Sequence, residues 1–284
     1  MVIRIALPKG ALEAGVTALL ADAGIRLRAG ARSYRPELSL PGFEAKVLKP
    51  QNVVEMVHAG SRDVGFAGLD WVSELDGRLI ELLDTGLDPV RIVAAAPESV
   101  LVGGELPDRP LVVASEYRRL ATRWIERRQL RATFVRSYGA TEVFPPEDAD
   151  VVVDNSASGT TLRANGLAVV DELLASTTRL YANPRALDDA DRRATIERLV
   201  VLLRSVLEAR RRVLLEVNVT SARLEAVLAA LPAMRQPTVA PLARDSGFAV
   251  KAAVPRDLLP RLILELKRCG ATDLVVTTPS QIVP

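Results

Sequence analysis

Residues 150–162 read Asp150-Val151-Val152-Val153-Asp154-Asn155-Ser156-Ala157-Ser158-Gly159-Thr160-Thr161-Leu162. A short β-branched run ends in an aspartate, and a loop of small hydroxyl residues and one glycine follows. A helix-like segment over residues 162–167 completes the unit. Strand, loop and helix in this order are the building block of an α/β fold. The loop also has chemical meaning. A phosphate needs converging backbone N–H groups, no bulky side chains in the way and a helix N-terminus behind them. Ser156, Ala157, Ser158, Gly159, Thr160 and Thr161 supply that kind of surface. Asp150 and Asp154 would repel a bare phosphate but can accept hydrogen bonds from ribose hydroxyls. The segment therefore reads as a phosphoribosyl site. The competing reading is an ordinary strand, turn and helix whose hydroxyls only cap the helix.

Composition narrows the classes. At 284 residues the chain is long for one core and comfortable for two or three small domains. Apolar residues are abundant and aromatic ones scarce, so the core is built from Ala, Val and Leu. A net charge of +2 argues against a nucleic-acid binder that relies on a broad basic field. One cysteine, Cys269, excludes an internal disulfide, and His58 is the only histidine. A Ser-His-Asp triad could exist only around His58, and a His/Cys zinc site fails on ligand count. Residues 1–7 are too short for a signal-peptide core, and no uninterrupted apolar stretch could span a bilayer. A soluble, cytoplasmic protein without membrane or nucleic-acid partners is the expectation.

Outward from the opening stretch, strands and helices alternate. Strands are predicted at residues 2–7, 45–48, 63–67 and 79–83, with helices at 10–23 and 52–59. A second α/β unit starts near Arg91, with strands at 91–96, 111–115, 132–135 and 151–153 and a helix at 117–130. Pairing should be largely parallel. The clearest helix covers residues 188–210, where Ile196, Leu199, Val200, Leu203 and Leu207 keep the helical period. Beyond it, strand 213–219, helix 222–231, strands 237–242 and 248–254, helix 257–269 and strand 273–276 follow the ferredoxin-like order βαββαβ.

Taken together the motifs resemble the ATP phosphoribosyltransferases, the first enzymes of histidine biosynthesis, in their long form. Leu7-Pro8-Lys9-Gly10-Ala11-Leu12 is similar to the family's Leu-Pro-Lys-Gly-Arg-Leu. Asp63-Val64-Gly65-Phe66-Ala67-Gly68-Leu69-Asp70 is similar to its Asp-x-Gly-Ile-x-Gly-x-Asp. Ala114-Ser115-Glu116-Tyr117 and Gly139-Ala140-Thr141-Glu142 come next. Asp154, Ser158-Gly159, Thr161-Leu162 and Asn165-Gly166-Leu167 then match the phosphoribosyl segment. Finally, Asn218-Val219 and Gln236-Pro237-Thr238-Val239-Ala240-Pro241-Leu242 resemble the regulatory domain. Each motif is weak alone; six in one order are strong.

The resemblance implies an α/β fold with a two-lobed catalytic core like the type II periplasmic binding proteins, plus a C-terminal ferredoxin-like (ACT-like) domain. Lobe I is expected at residues 1–90 with 180–211, lobe II at 91–179 and the regulatory domain at 212–284. The implied reaction moves the 5-phosphoribosyl group of PRPP to N1 of ATP and releases pyrophosphate, with Mg2+ as cofactor. Asp150 and Asp154 are then the catalytic candidates, and residues 156–161 hold the 5-phosphate. Lys9 and Lys49 are candidates for phosphate contacts, Asp70 for a ribose or a basic partner, Tyr117 for stacking on adenine and Glu142 for anchoring a substrate. Asn218, Met234, Gln236 and Thr238 are candidates for binding histidine as feedback inhibitor, and a homo-oligomer, a hexamer, is implied. Four departures stand out: Ala11 for arginine, Lys49-Pro50-Gln51-Asn52 for Arg-x-x-Asp, Asn155-Ser156 for an apolar pair, and Arg118 for proline. The rival reading is a bilobal protein that binds or senses a small molecule without catalysis.

Overall fold

The computed structural model describes residues 2–28 and 34–283. Two compact units result, one drawn from residues 1–21 and 25–198, the other from residues 22–24 and 199–284.

The first unit opens with β1 (Ile3–Pro8), helix α1 (Glu13–Asp22), the short pair β2 (Leu27–Arg28) and β3 (Glu37–Leu38), and β4 (Phe43–Leu48). Helix α2 (Pro50–His58), β5 (Val64–Gly68) and α3 (Leu69–Leu75) follow. β1 lies between β4 and β5 and is parallel to both. Helix α2 packs so closely on β5 that a Cβ at Gly65 would stand 2.7 Å from Val53 Cγ1, so this position admits only glycine. The long strand β6 (Ile80–Pro97) leads to β7 (Leu111–Ser115), α4 (Arg118–Arg127), β8 (Ala132–Arg136) and β9 (Val151–Ser156). Here β7 is the centre of a second parallel trio, with β8 and β9 on its flanks. Helix α5 (Thr160–Ala164), the long strand β10 (Leu167–Ala182), α6 (Pro184–Asp188) and α7 (Ala190–Arg211) complete the series, α7 passing into the second unit at Leu199.

One eight-stranded sheet, in the order β4-β1-β5-β10-β6-β9-β7-β8, runs through both lobes. The parallel trios match the expected pairing, and the antiparallel strands β6 and β10 join them. Strand β6 merges two strands expected separately, and β10 was not foreseen as a strand. The reason is chemical. Asp84, Thr85 and Asp88 interrupt the apolar pattern, Gly86 and Asp88 have φ of +65° and +48°, and the β6–β10 register shifts at several bulges. Cross-strand hydrogen bonds satisfy these polar groups: Thr177 Oγ1 donates to Asp84 at 2.7 Å and Thr178 Oγ1 to Asp88 at 2.8 Å.

Strand β9 is buried on both faces, which explains three consecutive valines. Val151 and Val153 pack with Tyr117, Ala121 and Trp124 near or on α4, while Val152 faces Leu162 of α5, Val93 and Ala114. Both ends of the loop at residues 156–161 are thus anchored in the core.

The second unit contains β11 (Arg212–Val219), α8 (Leu224–Ala230), β12 (Thr238–Pro241), β13 (Phe248–Pro255), α9 (Leu259–Arg268) and β14 (Thr272–Thr277). Its antiparallel sheet has the order β12-β13-β11-β14, the ferredoxin-like arrangement that the element order predicts. Val213, Leu215, Val217 and Val219 alternate along β11 into one core with α8 and α9.

A buried ion-pair cluster ties β1, β5 and the start of α7. Asp63, 3% exposed, accepts from Arg4 N at 2.7 Å, Arg4 Nη2 at 3.0 Å and Arg192 Nη1 at 2.8 Å. Burial alone would raise its pKa; the Arg4 hydrogen bonds and the Arg4 and Arg192 charges outweigh it and hold the carboxyl below its ordinary value. This stability is present above the unfolded-state pKa of about 4 and is lost as pH falls through the lower folded value. Asp63→Asn should therefore cost about 2 kcal/mol at neutral pH. Denaturant melts over an acid-to-neutral series should show that cost shrinking on acidification; a gap independent of pH would contradict it.

Candidate active site

The two lobes turn the C-terminal ends of their parallel strands toward one cleft, the usual ligand position in an open α/β sheet. Gly68, the last residue of β5, pairs with Thr178, and Ser156, the last of β9, pairs with Arg91. Thr178 in turn pairs with Leu87. The two strand ends therefore face each other along β6 across the four-residue step from Leu87 to Arg91, about 13 Å of extended chain.

On the second lobe the loop leaves β9 through Ala157 and Ser158 and enters α5 at Gly159, whose φ of 74° is left-handed. No side chain caps α5 in the usual way. A hydroxyl cap is confined to Ser158 Oγ, which accepts from Thr160 N at 3.4 Å at the start of the helix. Glu142 and residues 154–162 line a recess of about 280 Å³. Within the wall, the Ser156 hydroxyl is buried and has no hydrogen-bond partner among the described residues. An orphan buried hydroxyl in the wall of a recess is a donor open to a ligand oxygen. Ser158 Oγ and Thr160 Oγ1 lie 2.8 Å apart. Arg163, not singled out in the sequence, donates from Nη2 to Ser158 O at 3.0 Å, and a Cβ on Gly159 would stand 2.9 Å from its Nη1. Its place four residues after Gly159, one helical turn on, was the available signal.

Asp154, half-buried, is part of the wall of this recess. Burial pushes its pKa up to about 6, the Asn155 backbone N–H works against that at 2.7 Å, and the nearby charges of Glu142 and Glu116 raise it further. Glu142 is held opposite on a 3-10 turn (Thr141–Val143), pinned by the 2.7 Å contact of Ser137 Oγ with Thr141 Oγ1.

On the first lobe, Lys9 and Lys49 follow the ends of β1 and β4, which are neighbours in register at Pro8 and Leu48. Lys9 Nζ lies 5.1 Å from the centre of the Tyr34 ring. Asp70, in the first turn of α3, accepts from Ser176 Oγ at 2.7 Å and from Tyr117 OH at 2.9 Å.

Three expectations need correction. Asp150 precedes β9 and so lies at the far end of that strand from the loop, about 20 Å away at ~3.3 Å per residue. It is engaged there by Arg109 Nη2 at 2.7 Å and Val112 N at 2.8 Å, contacts that outweigh burial and lower its pKa. Tyr117 is 1% exposed, packs at 4.7 Å against Trp71 and gives its hydroxyl to Asp70, leaving no face for an adenine. Burial, then the Asp70 charge and hydrogen bond, push its phenol well above the ordinary pKa. In the second unit, Met234, Gln236 and Thr238 share a recess of about 250 Å³ with Lys251, but Asn218 lies outside it. It stands four residues along β11 from Leu214 of that recess, with Nδ2 bonded to Asp273 at 3.0 Å.

The family model of ATP phosphoribosyltransferase (HisG) matches residues 49–205, and that of the HisG C-terminal domain matches residues 209–279. The chain belongs to the ATP phosphoribosyltransferase family. The ATP phosphoribosyltransferase of Chlorobium phaeobacteroides is 36% identical over 278 residues, covering 96% of this chain and 95% of the relative. That of Pelotomaculum thermopropionicum is 34% identical over 289 residues and covers both chains fully, 100% of each. A solved ATP phosphoribosyl transferase (HisG:HisZ) complex from Thermotoga maritima contains a chain of similar fold. It has a TM-score of 0.64 and 25% identity, covering 72% of this chain and 98% of that one. As a long-form ATP phosphoribosyltransferase, the protein is a transferase that uses PRPP and ATP in the first step of histidine biosynthesis. This sets aside the non-catalytic binding protein. No helix among the described residues is long and apolar enough to cross a membrane.

The raised pKa of Asp154 predicts a conflict between stability and function. Its ionised form is strained in the fold, a penalty that develops between about pH 4 and pH 6 and is constant above. Asp154→Asn should gain on the order of 1–2 kcal/mol above that window and nothing below it. Thermal melts at several pH values test this; a destabilised variant at neutral pH would refute it.

Proposed function

We propose that residues 156–161 hold the 5-phosphate of PRPP for transfer to N1 of ATP. The observation that carries this reading is the buried, unpartnered Ser156 hydroxyl in the wall of the recess. The amides of Ala157, Ser158, Gly159, Thr160 and Thr161, with the loop hydroxyls, supply the remaining donors, and Arg163 adds positive charge. With the phosphate fixed, the ribose extends toward Asp154 and Glu142. The C1–oxygen bond to pyrophosphate breaks, the electron pair leaves with pyrophosphate, and the lone pair of adenine N1 forms the new bond to C1. Positive charge grows on the ribose between these events, and the carboxylates of Asp154 and Glu142 favour it. Lys9 and Lys49, on the facing lobe, meet the pyrophosphate. Asp70 acts by fixing α3 to β10 and Tyr117 rather than by touching substrate.

Phosphoribosyltransferases generally need a divalent metal, and we assign Mg2+. Among the described residues no group of three or more His, Cys, Asp or Glu side chains forms a cage. The donor set that fits is substrate phosphate oxygens and waters, with Asp154 and Glu142 facing them, as suits this ion. Bound there, Mg2+ would neutralise the leaving pyrophosphate.

The lobes are assigned as residues 1–90 with 180–211 and residues 91–179, and the regulatory domain as residues 212–284. Histidine is proposed to bind the domain at Met234, Gln236 and Thr238 and to inhibit a cytoplasmic hexamer.

Mass spectrometry of the protein with Mg2+, PRPP and ATP should reveal phosphoribosyl-ATP; tight binding without product would overturn the mechanism. Ser156→Ala should leave thermal stability unchanged yet raise the KM for PRPP about tenfold, the worth of one hydrogen bond to a charged group. An unchanged KM would remove the loop from the phosphate site. Calorimetry should show histidine binding to the full chain and losing affinity on Gln236→Ala; no binding would leave the domain a purely structural one.

A further inference from the structure

Arg163 falls between two matching motifs of the phosphoribosyl segment, Thr161-Leu162 and Asn165-Gly166-Leu167, at a position the family pattern leaves open. It is not in the wall of the recess, which Glu142 and residues 154–162 form. The residue is exposed, yet its guanidinium is committed. From the fourth position of α5 it folds back over the start of the helix, where Nη2 donates to Ser158 O at 3.0 Å. Among the described residues no carboxylate pairs with it, whereas Arg119 takes Asp76 and Arg179 takes Glu81.

Gly159 is what admits the fork so close. A Cβ there would stand 2.9 Å from Arg163 Nη1. The glycine whose left-handed φ of 74° turns the loop into α5 therefore also leaves the space that the guanidinium fills.

The consequence lies in the peptide plane between Ser158 and Gly159, which is trans. In a trans peptide the carbonyl and the following N–H point in opposite directions. Holding Ser158 O on Arg163 thus turns the Gly159 N–H away from the guanidinium. That N–H has no acceptor among the described residues. Gly159 lines the recess together with Ser156, whose buried hydroxyl is also unpartnered. With the plane flipped, the Ser158 carbonyl oxygen would face an anion in place of a donor, and oriented N–H groups are what an anion requires.

We propose that Arg163 is a positioning residue for PRPP. It holds the Ser158 carbonyl on the outer side of the loop and so presents the Gly159 N–H to the 5-phosphate. It acts through the backbone rather than by touching substrate. The assignment rests on the reading of residues 156–161 as the 5-phosphate site.

The test is steady-state kinetics on the full chain with Mg2+, PRPP and ATP, from about 0.05 M to about 0.5 M KCl, a range that shortens electrostatic reach severalfold. Arg163→Ala should raise the KM for PRPP about tenfold, one hydrogen bond to a charged group. The KM for ATP, kcat and the thermal melting temperature should stay as they are. Arg163→Lys, which keeps a donor for the carbonyl, should recover part of the loss. The ratio of the alanine variant to the parent should persist at high salt, because a peptide plane is not screened. A ratio that falls to one as salt rises would mean a plain charge attracting phosphate, and it overturns the positioning role. A surface arginine resting on the nearest carbonyl could be replaced by alanine with no change in KM, and that result overturns it too. So does a lowered melting temperature with the KM for PRPP unmoved. If Ser156→Ala leaves the KM for PRPP unchanged, the loop reading itself fails. If Ser156→Ala raises it and Arg163→Ala does not, only Arg163 loses its role.

Discussion

The antiparallel pair β6 and β10 is the constraint on which the catalytic unit depends. Both parallel trios attach to it, β5 near Ile80 to Leu87 through β10 and β9 at Ala95 to Arg91. Because the trios attach to different stretches of one ribbon, their C-terminal ends are set face to face and their separation is fixed by the residues between. Polar cross-strand groups mark the ribbon beside them. Arg179 pairs with Glu81 at 2.7 Å and with Asp84 at 3.4 Å, and the Thr85 hydroxyl donates to the Thr178 carbonyl. A ribbon held by polar cross-strand pairs tolerates water on the cleft side, where an apolar strand would not.

A second interaction ties the lobes across the cleft floor. Asp70 is 6% exposed, and its carboxylate accepts from two neutral hydroxyls, Ser176 on β10 and Tyr117 at the start of α4. With the Tyr117 phenol pushed up in pKa, that hydroxyl stays a donor throughout the physiological range. Asn155, one of the residues that departs from the family pattern, reaches the same hydroxyl at 3.4 Å. The unusual amide next to the phosphoribosyl loop therefore has a place: it links the loop strand to the pair that positions the first lobe.

These particulars explain what the sequence could disclose. The run of three valines signalled a doubly buried strand, because burial on both faces restricts residue type directly. The ferredoxin-like unit was legible from element order alone. The long strands were not, since solvated polar pairs erase the two-residue period on which a strand assignment rests. Asp150 and Asn218 were misplaced for a related reason. Asp150 adjoins the strand that carries the loop and Asn218 lies on a strand that lines the recess, but each is at the wrong end, and one strand's length is larger than a substrate contact. Tyr117 shows the third limit: a tyrosine beside a site motif is indistinguishable, in sequence, from one that packs under it.

With the site residues as proposed, the distribution of charge across the cleft would match a division that the reaction itself makes. Lys9 and Lys49 stand on the first lobe, whereas Asp154, Glu142 and Glu116 cluster by the loop on the second. PRPP carries its negative charge at its two ends and none on the ribose, while the transition state adds positive charge at C1. A carboxylate whose ionisation is disfavoured by burial and by like neighbours gains little from the neutral ground-state sugar. It gains most when the cation appears, and that difference between the two states is what accelerates the step. On the proposed role of Asp154, the cost of holding it ionised near such neighbours would fall on the free enzyme and the bound substrate and be relieved where the barrier lies.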